Sequence, residues 1–432
     1  MDPLRVGLCG LGTVAQGVLQ VLRDNAEGIA RRAGRQLQVV AVASRTAKPE
    51  VDLGGATFST DVLTLAGRDD LDVVVELIGG EDTALQLVET ALSNGTHVVT
   101  GNKAIVALHG ERLLSLASAN SAHLGFEAAV AGGIPIISSL TNALAGNAHE
   151  WIVGIINGTS NFILTAMAEQ GQSFSDALEE AQALGYAEAD PTFDVEGVDA
   201  AHKLTILTAL GFGAGFRFDD VYVEGISAIA VEDIEYARQL GYVIKHIGMA
   251  RRRAAGIEAR VHPALVPQSH LLSSIGGATN AVMVRSNAAG DTFYAGAGAG
   301  ALPTASAVVG DLVDISKSSA RLPRLPDGSA TPLLPIERVE TEYYLRIPSL
   351  DQPGAFARVA TILSECKISI EAAIQREQAA PSLGEGQWVP IVILTHAVEE
   401  QVMNRALAEV QALPEVVGEI TRIRVEQLSA TN

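Results

Sequence analysis

Residues 184–203 concentrate side chains whose types and spacing could do chemistry. The segment combines five carboxylates with one lysine: Glu188, Asp190, Asp194, Glu196, Asp199 and Lys203. Asp199 and Lys203 are four residues apart, so on a helix they share one face. Such a site could hold the ammonium group of an amino acid while the lysine moves a proton. The alternative is a solvated loop with a surface ion pair, but the apolar run VDAAHKLTILTAL predicts a buried helix.

Composition bounds the class of protein. The chain has 432 residues, of which 48% are hydrophobic and 19% charged, as in a soluble globular protein of two or three domains. Its net charge of −20 argues against a nucleic-acid surface. Cys9 and Cys366 each lie in or beside an apolar stretch, which favours free thiols in a reducing compartment. The sequence has no apolar run of about 18 residues. We therefore expect a cytoplasmic protein with no membrane or nucleic-acid partner.

Three domains are predicted to position these side chains. Residues 1–130 alternate apolar strands with helices, which predicts an α/β domain with a Rossmann-type parallel sheet. Residues 131–320 contain long helical segments followed by strand-like segments, which predicts an α+β domain with a helix-backed antiparallel sheet. Within it, 300–320 is expected to pack back on the first domain.

The last part of the chain has a different pattern. Residues 321–342 belong to a proline-rich segment with little periodicity and are predicted to be a linker. Residues 343–432 follow the order strand–helix–strand–strand–helix–strand, which is typical of a ferredoxin-like split βαβ sandwich. An exposed edge of its sheet could pair with a second copy.

A glycine-rich turn predicts a nucleotide site. The run Gly10-Leu-Gly12-Thr13-Val14 follows the first strand and opens a helix. Gly10 permits the tight turn, and Gly12 lets the backbone approach a pyrophosphate at the helix N-terminus. The alternative is a tight turn without a ligand.

The end of the second strand is expected to select the cofactor. An acidic residue there would hold a free ribose 2′-hydroxyl, whereas this chain has Arg45 and Lys48. Two cations can pair with a 2′-phosphate. The sequence therefore predicts NADP(H) in preference to NAD(H), with two solvated surface cations as the alternative.

Three other positions have both a functional and a structural interpretation, and a fourth has a structural interpretation alone. Lys103 follows a strand at the sheet edge where ligands bind, or it is a lysine at an exposed helix start. The bend that begins at Glu127 could offer carbonyls to a hard cation, or it is a plain turn. Asn157 opens a polar helix start that capping alone explains. The turn from Asp351 to Gly354 could bind an anion at the next helix start, or it only reverses the chain.

Six segments occur in the order expected of homoserine dehydrogenases. They are GLGTVAQGV, TGNKA, EAAVAGGIPII, NGTSNFILT, LGYAEADPTFDVEGVDAAHKLTIL and GAGAGALPTASAVVGDLVDI. The chain resembles this family over nearly its whole length, and its C-terminal unit resembles an ACT domain. The resemblance implies reversible reduction of L-aspartate 4-semialdehyde to L-homoserine by NAD(P)H, on the route to threonine, methionine and isoleucine. It also implies a catalytic and dimerisation role for 131–320, a homodimer or homotetramer, and an amino-acid effector, threonine, at the ACT domain.

The resemblance also implies roles for individual residues. Lys203 resembles the proton donor, Lys103 a lysine between nicotinamide and substrate, and Asp199 a residue that orients substrate or lysine. Glu188 and Asp194 resemble substrate-binding acids. The remaining positions resemble cofactor, cation and effector contacts: Gly300 for the cofactor, Glu127, Val130, Gly132 and Ile134 for a sodium-like structural ion, and Asp351, Gly354 and Ala355 for the effector. Ser369 stands where effector-binding ACT domains often carry asparagine.

Two other functions fit parts of this pattern. One is an NADP-dependent oxidoreductase of another amino semialdehyde or a keto acid, which would not need Glu188 and Asp194 together. The other is a non-catalytic amino-acid sensor with a vestigial nucleotide fold. The intact set of Lys103, Asp199 and Lys203 counts against the sensor.

Overall fold

The first unit of the molecule is a parallel sheet between helices. The computed structural model describes residues 2–317, 331–375 and 388–428. The first strands are Leu4–Cys9 (β1), Leu37–Ala43 (β2), Thr57–Ser59 (β3), Val73–Glu76 (β4), His97–Thr100 (β5) and Leu124–Gly125 (β6). The helices between them are Thr13–Asp24 (α1), Ala26–Ala33 (α2), Val62–Ala66 (α3), Asp82–Ser93 (α4) and Lys103–Ala119 (α5). The strand order β3-β2-β1-β4-β5-β6 confirms the predicted Rossmann-type sheet.

The second unit packs helices against an antiparallel sheet, as predicted. Its strands are His149–Ile155 (β7), Tyr222–Val223 (β8), Tyr242–Arg253 (β9), Gly256–Pro267 (β10), Thr279–Ser286 (β11) and Gly290–Ala297 (β12). Its helices are Ile136–Ser138 (α6), Gly158–Gln170 (α7), Phe174–Ala183 (α8), Thr192–Val195 (α9), Val198–Phe212 (α10), Val231–Gln239 (α11) and Ala301–Ser316 (α12). The strands run β12-β11-β7-β9-β10, and β8 pairs with β10.

Helix α10 is the buried helix that the sequence predicts. Its residues from Asp199 to Phe212 are buried except for Lys203, which is half-buried. Leu204 and Leu207 belong to one apolar cluster with Ile152 of β7 and Val261 of β10. Burial of this apolar face fixes the helix on the sheet, so its first turn is held in one position.

Helix α12 returns to the first unit. Ala305, Val308 and Leu312 join the apolar cluster that contains the β1 side chains. A Cβ atom at Gly17 of α1 would lie 2.5 Å from the carbonyl oxygen of Ala301, so glycine permits the close approach of the two helices. The loop that precedes α12 is thereby carried to the carboxyl edge of the parallel sheet.

The C-terminal unit continues the antiparallel sheet of the second unit. Its strands are Glu340–Leu350 (β13), Ile370–Gln375 (β14), Trp388–Thr395 (β15), Val398–Glu399 (β16) and Thr421–Val425 (β17), and its helices are Ala355–Glu365 (α13) and Glu400–Gln411 (α14). The strand order is β17-β13-β15-β14. Strand β17 pairs in parallel with β10 through Ala264 opposite Arg424 and Leu265 opposite Val425. One edge of the unit is therefore occupied within the same chain, and among the described strands of this unit β14 forms the other edge.

Part of the predicted linker is ordered on the second unit. Residues 321–330 lie outside the described residues. Farther on, Ile257 donates its backbone N–H to Pro332 O at 2.9 Å, and Leu334 donates to Ile257 O at 2.8 Å. Strand β13 begins at Glu340, before the predicted boundary at 343. The proline-rich pattern did not reveal this because the backbone contacts depend on β10, which lies far away in the sequence.

Across the described parts of the chain, no helix is both long enough and apolar enough to span a bilayer.

Candidate active site

A cleft lies between the two larger units, at the carboxyl edge of the parallel sheet. Its volume is about 950 Å³. Charged and polar side chains line it together with glycine backbone, namely Gly101, Lys103, Asn157, Thr159, Glu188, Asp194, Asp199, Lys203, Gly298 and Gly300. This is the place where ligands bind in open α/β sheets. The cleft brings together all the predicted catalytic and substrate-binding residues.

Asp199 lies between two ammonium groups at the centre of the cleft. Lys203 Nζ is 2.6 Å from Asp199 Oδ2, and Lys103 Nζ is 3.0 Å from Asp199 Oδ1. The side chain of Asp199 is 5% exposed, that of Lys203 12% and that of Lys103 33%. Burial alone would raise the pKa of Asp199, but the two neighbouring ammonium groups hold this pKa below its usual range. The carboxylate is thus ionised and fixes both lysines.

Local structure explains why these three charges meet. Gly197, at φ 86°, precedes α10, so Asp199 occupies the first turn, where the helix dipole favours a negative charge. Lys203 follows one turn later and donates a second hydrogen bond to Ile156 O at 2.8 Å, just beyond β7. Lys103 begins α5 directly after the β5 turn, and Asn102 caps this helix. Each lysine is therefore placed by a different unit of the fold.

Asp194 and Glu188 occupy different environments at the cleft. Asp194 Oδ1 accepts a hydrogen bond from Asn157 Nδ2 at 2.8 Å, and Thr159 Oγ1 lies 3.4 Å from Asp194 Oδ2. Burial and the nearby charge of Asp199 raise the pKa of Asp194, while the Asn157 hydrogen bond opposes that rise. Glu188 is exposed, and its carboxylate has no partner within the parts of the chain that the structure describes. The rim of the cleft thus offers one unpaired carboxylate.

Asn157 contributes more than the capping function that its sequence context indicates. It does cap α7, since Oδ1 accepts the backbone N–H of Ser160 at 2.8 Å. Its Nδ2 also donates to Asp199 Oδ2 at 2.8 Å, in addition to Asp194. The sequence signal was limited to a polar helix start, and both acids lie far from it along the chain.

Glu76 is a second residue that sequence reasoning missed. It is fully buried at the end of β4 and accepts hydrogen bonds from the Thr100 hydroxyl and from Ile78 N. Burial raises the pKa of its carboxyl. Thr100 Oγ1 in turn accepts the backbone N–H of Asn102 at 3.0 Å. These hydrogen bonds stabilise the turn that directly precedes Lys103.

The glycine-rich turn has the backbone that a nucleotide site requires. Gly10 has φ 103°, and a Cβ atom there would collide with the Leu77 carbonyl oxygen. Gly12 precedes α1, which starts at Thr13 and Val14, and open space surrounds the position of its missing Cβ. The backbone N–H groups at this helix start are available to a phosphate.

Three further residues are predicted cofactor contacts. Arg45 is exposed and Lys48 half-buried, just beyond β2, and neither side chain has a partner among residues 2–317, 331–375 and 388–428. Gly300, at φ 123°, precedes α12 and lines the cleft.

The bend from Glu127 to Ile134 is tightly constrained. Both oxygens of the Glu127 carboxylate accept backbone N–H groups, from Ile137 at 2.8 Å and from Ser138 at 2.7 Å. Burial raises the pKa of Glu127 to about 7. Ala131 and Gly132 have φ 55° and 48°, a rare pair of left-handed residues that turns successive carbonyls. The described residues contain no cluster of three or more His, Cys, Asp or Glu side chains able to hold a metal, so an ion here would rest on backbone carbonyls such as those of Val130 and Gly132.

The predicted effector residues lie outside the cleft. Asp351 is exposed in the turn before α13, Gly354 precedes this helix at φ 90°, and Ala355 is its buried first residue. The structure therefore keeps them apart from the residues that line the cleft.

The Rossmann-type sheet and the lysine–aspartate cleft define an oxidoreductase with a nucleotide-binding domain. Residues 10–127 match the family model "Homoserine dehydrogenase, NAD binding domain", and residues 135–313 match the model "Homoserine dehydrogenase". The chain belongs to the homoserine dehydrogenase family.

Relatives and solved structures agree with this family. The homoserine dehydrogenase of Pseudomonas aeruginosa is 51% identical, over 99% of this chain and 100% of the relative. A crystal structure of a homoserine dehydrogenase from Thiobacillus denitrificans is 49% identical, covers 99% of both chains and superposes with a TM-score of 0.94. A hyperthermophilic archaeal homoserine dehydrogenase in complex with NADPH is 25% identical, covers 75% of this chain and 100% of its own, and has a TM-score of 0.64.

Proposed function

We propose that the protein catalyses the reversible NAD(P)H-dependent reduction of L-aspartate 4-semialdehyde to L-homoserine. The observation that carries this proposal is the position of Asp199 between Lys103 and Lys203, beside Asp194, in a cleft at the edge of the nucleotide-binding sheet. The family to which the chain belongs supports the same reaction.

The charges of the cleft suit both ends of this substrate. Bound NAD(P)H would supply a hydride to the aldehyde carbon, and negative charge then develops on the aldehyde oxygen. Lys203 stabilises that charge and delivers the proton, while Lys103 assists polarisation of the carbonyl. Asp194 and the unpaired carboxylate of Glu188 hold the α-ammonium group away from the reacting carbon.

Oxidation of NADPH by the purified protein tests the proposal. Aspartate semialdehyde should be reduced much faster than succinate semialdehyde, which lacks the α-ammonium group that Glu188 and Asp194 would bind. Glutamate semialdehyde tests the alternative of another amino semialdehyde oxidoreductase. Binding of NADPH without turnover of any semialdehyde would contradict the proposal and favour an amino-acid sensor.

We infer a preference for NADP(H) from Arg45 and Lys48. The NADPH complex of the archaeal relative supports this inference. We expect Arg45→Ala to raise the Michaelis constant for NADPH at least about tenfold, as for the loss of one charge-assisted hydrogen bond, and to leave that for NADH unchanged. Arg31→Ala removes another exposed arginine of the same domain and is the matched control. An unchanged Michaelis constant for NADPH in Arg45→Ala would refute the assignment.

A structural monovalent cation is proposed at the bend formed by residues 127–134. The turned carbonyls at Ala131 and Gly132 and the constrained position of Glu127 support it. A bound ion stabilises the folded state by mass action, so the melting temperature should be higher in sodium chloride than in choline chloride at equal ionic strength. Equal melting temperatures would exclude the site.

We propose that the C-terminal unit is an ACT domain that binds an amino-acid effector, expected to be threonine, near Asp351, Gly354 and Ala355. The strand order β17-β13-β15-β14 with two helices supports it. Threonine should inhibit the full-length enzyme, and Asp351→Ala should weaken this inhibition. Because coupling is reciprocal, substrate should also weaken threonine binding. Absence of both inhibition and calorimetric binding would contradict the proposal.

A homodimer or homotetramer is proposed as the working assembly. Among the described strands, β12 and β14 each pair on one side only, so each leaves an edge that a second copy could extend. Light scattering measures the mass of the assembly, and a monomer at assay concentration would refute the proposal.

A further inference from the structure

Asn157 connects the substrate-binding acid to the acid that holds the lysines. It lies just beyond β7, is 4% exposed, and caps α7. Its Nδ2 donates to Asp194 Oδ1 and to Asp199 Oδ2, each at 2.8 Å. The two carboxylates belong to different helices, α9 and α10. A single neutral side chain therefore joins both.

The helix cap determines which end of the Asn157 amide faces the cleft. Its Oδ1 accepts the Ser160 N–H at 2.8 Å, and only the oxygen of an amide can accept. The Nδ2 end must then face the acids, and its two N–H groups match the two carboxylate oxygens that it contacts. The two carboxylate bonds thus use both N–H donors of the amide, and the capping bond uses its oxygen.

Asn157 shares one carboxylate oxygen of Asp199 with Lys203. Asp199 Oδ2 accepts from Asn157 Nδ2 and from Lys203 Nζ, which is 2.6 Å away. Asn157 therefore restrains the carboxylate oxygen that in turn orients the proposed proton donor. Two like charges near each other would otherwise repel, and a shared donor between them offsets this repulsion.

We propose that Asn157 is a positioning residue for the dehydrogenase reaction, because its amide holds the substrate-binding carboxylate of Asp194 beside the lysine-binding carboxylate of Asp199. The two hydrogen bonds from Asn157 Nδ2 to these carboxylates are called the clamp below. This inference rests on the proposed function. It assigns Asn157 a role beyond capping, namely to set the distance between the site that holds the substrate ammonium and the site that delivers the proton.

Two substitutions separate the clamp from the cap. Asn157→Asp keeps an N-cap residue of equal quality but replaces the donating amide with a third carboxylate. Asn157→Gly keeps a residue that is tolerated at the N-cap position and introduces no charge. A residue that only caps α7 would give two active variants, whereas the clamp predicts that both are impaired.

We expect both variants to raise KM for aspartate semialdehyde at least about tenfold, with a smaller change in kcat, because a hydrogen bond to a charged group is lost from the substrate site. The Asn157 hydrogen bond favours the ionised form of Asp194. Its loss raises the Asp194 pKa, so the acid limb of the kcat/KM profile of Asn157→Gly should move to higher pH. The affinity for NADPH should stay the same, which shows that the variants are folded.

Ser173→Gly provides the matched control. Ser173 caps α8 in the same unit through the backbone N–H of Asp176 and does not line the cleft. Its substitution should leave KM, kcat and the pH profile unchanged. If Asn157→Asp does not fold, Asn157→Gly alone tests the clamp. A wild-type KM for aspartate semialdehyde together with a wild-type acid limb of the kcat/KM profile in Asn157→Gly would overturn the proposal. Failure of the wild-type enzyme to reduce aspartate semialdehyde would instead overturn the proposed function.

Discussion

Lys203→Ala is expected to lower kcat for reduction of aspartate semialdehyde at least about a hundredfold, as for the loss of general acid catalysis. An ammonium group has three N–H donors. Two of those on Lys203 are used by Asp199 at 2.6 Å and by Ile156 O at 2.8 Å. The third has no partner in the described chain and is available to the aldehyde oxygen.

Single-turnover and steady-state kinetics measure this effect. The dissociation constant for NADPH should be unchanged, because Lys203 lies on α10 and not at the glycine-rich turn. Lys245→Met is the matched control, since Lys245 is a buried lysine that also donates to a backbone carbonyl, that of Ile275, but does not line the cleft. Near-normal kcat in Lys203→Ala would eliminate the proton-donor role.

Arg424→Ala is expected to lower the free energy of unfolding by about 3–5 kcal/mol, the usual result of breaking a buried ion pair from one side. Arg424 is fully buried in β17. It donates to Glu400 Oε2 at 3.0 Å within the C-terminal unit and to Glu224 Oε2 at 2.7 Å in the second unit. Its guanidinium also lies 4.8 Å from the centre of the Tyr222 ring. Removal of the arginine leaves Glu400 buried without its main counter-charge.

Denaturant unfolding followed by circular dichroism measures the loss of stability. Arg358→Ala is the control, because Arg358 pairs with Glu415 in the same unit but its side chain is 45% exposed. An exposed pair of this kind contributes at most about 1 kcal/mol. If Arg424→Ala and Arg358→Ala lowered the free energy of unfolding by the same small amount, the ion pairs of Arg424 would not stabilise the contact between the C-terminal unit and the second unit.

The parts of the site that the sequence predicted are those with a local signal. Asp199 and Lys203 are one helical turn apart, and Lys103 follows a strand whose end must lie at the ligand edge of the sheet. The contacts of Asn157 could not be predicted in this way, because they join residues 37 and 42 positions apart that only the folded sheet brings together. Glu196 shows the same limit, since in sequence it resembles a solvated loop acid, yet in the fold it accepts a hydrogen bond from the Ser227 hydroxyl at 2.7 Å.

The fold shows a similar division. Alternation of apolar strands and helices was enough to predict the parallel sheet, and the apolar run VDAAHKLTILTAL was enough to predict the buried helix α10. The union of the C-terminal unit with the second unit was not predictable, because Glu224 and Arg424 are 200 residues apart and each resembles an ordinary surface charge in sequence. Residues 332–334 resemble a linker in sequence because their backbone hydrogen-bond partner, Ile257, lies far away along the chain.

The parallel pairing of β10 with β17 also bears on how the protein is made. Ala264 pairs with Arg424, so a ribosome synthesises β10 long before its neighbour exists. During that interval the part of β10 that β17 covers in the finished molecule, at Ala264 and Leu265, is open to solvent and to other nascent chains. The antiparallel sheet of the second unit is therefore complete only after residue 425 has been translated. Premature termination within the C-terminal unit would leave part of β10 unpaired and the protein prone to aggregation.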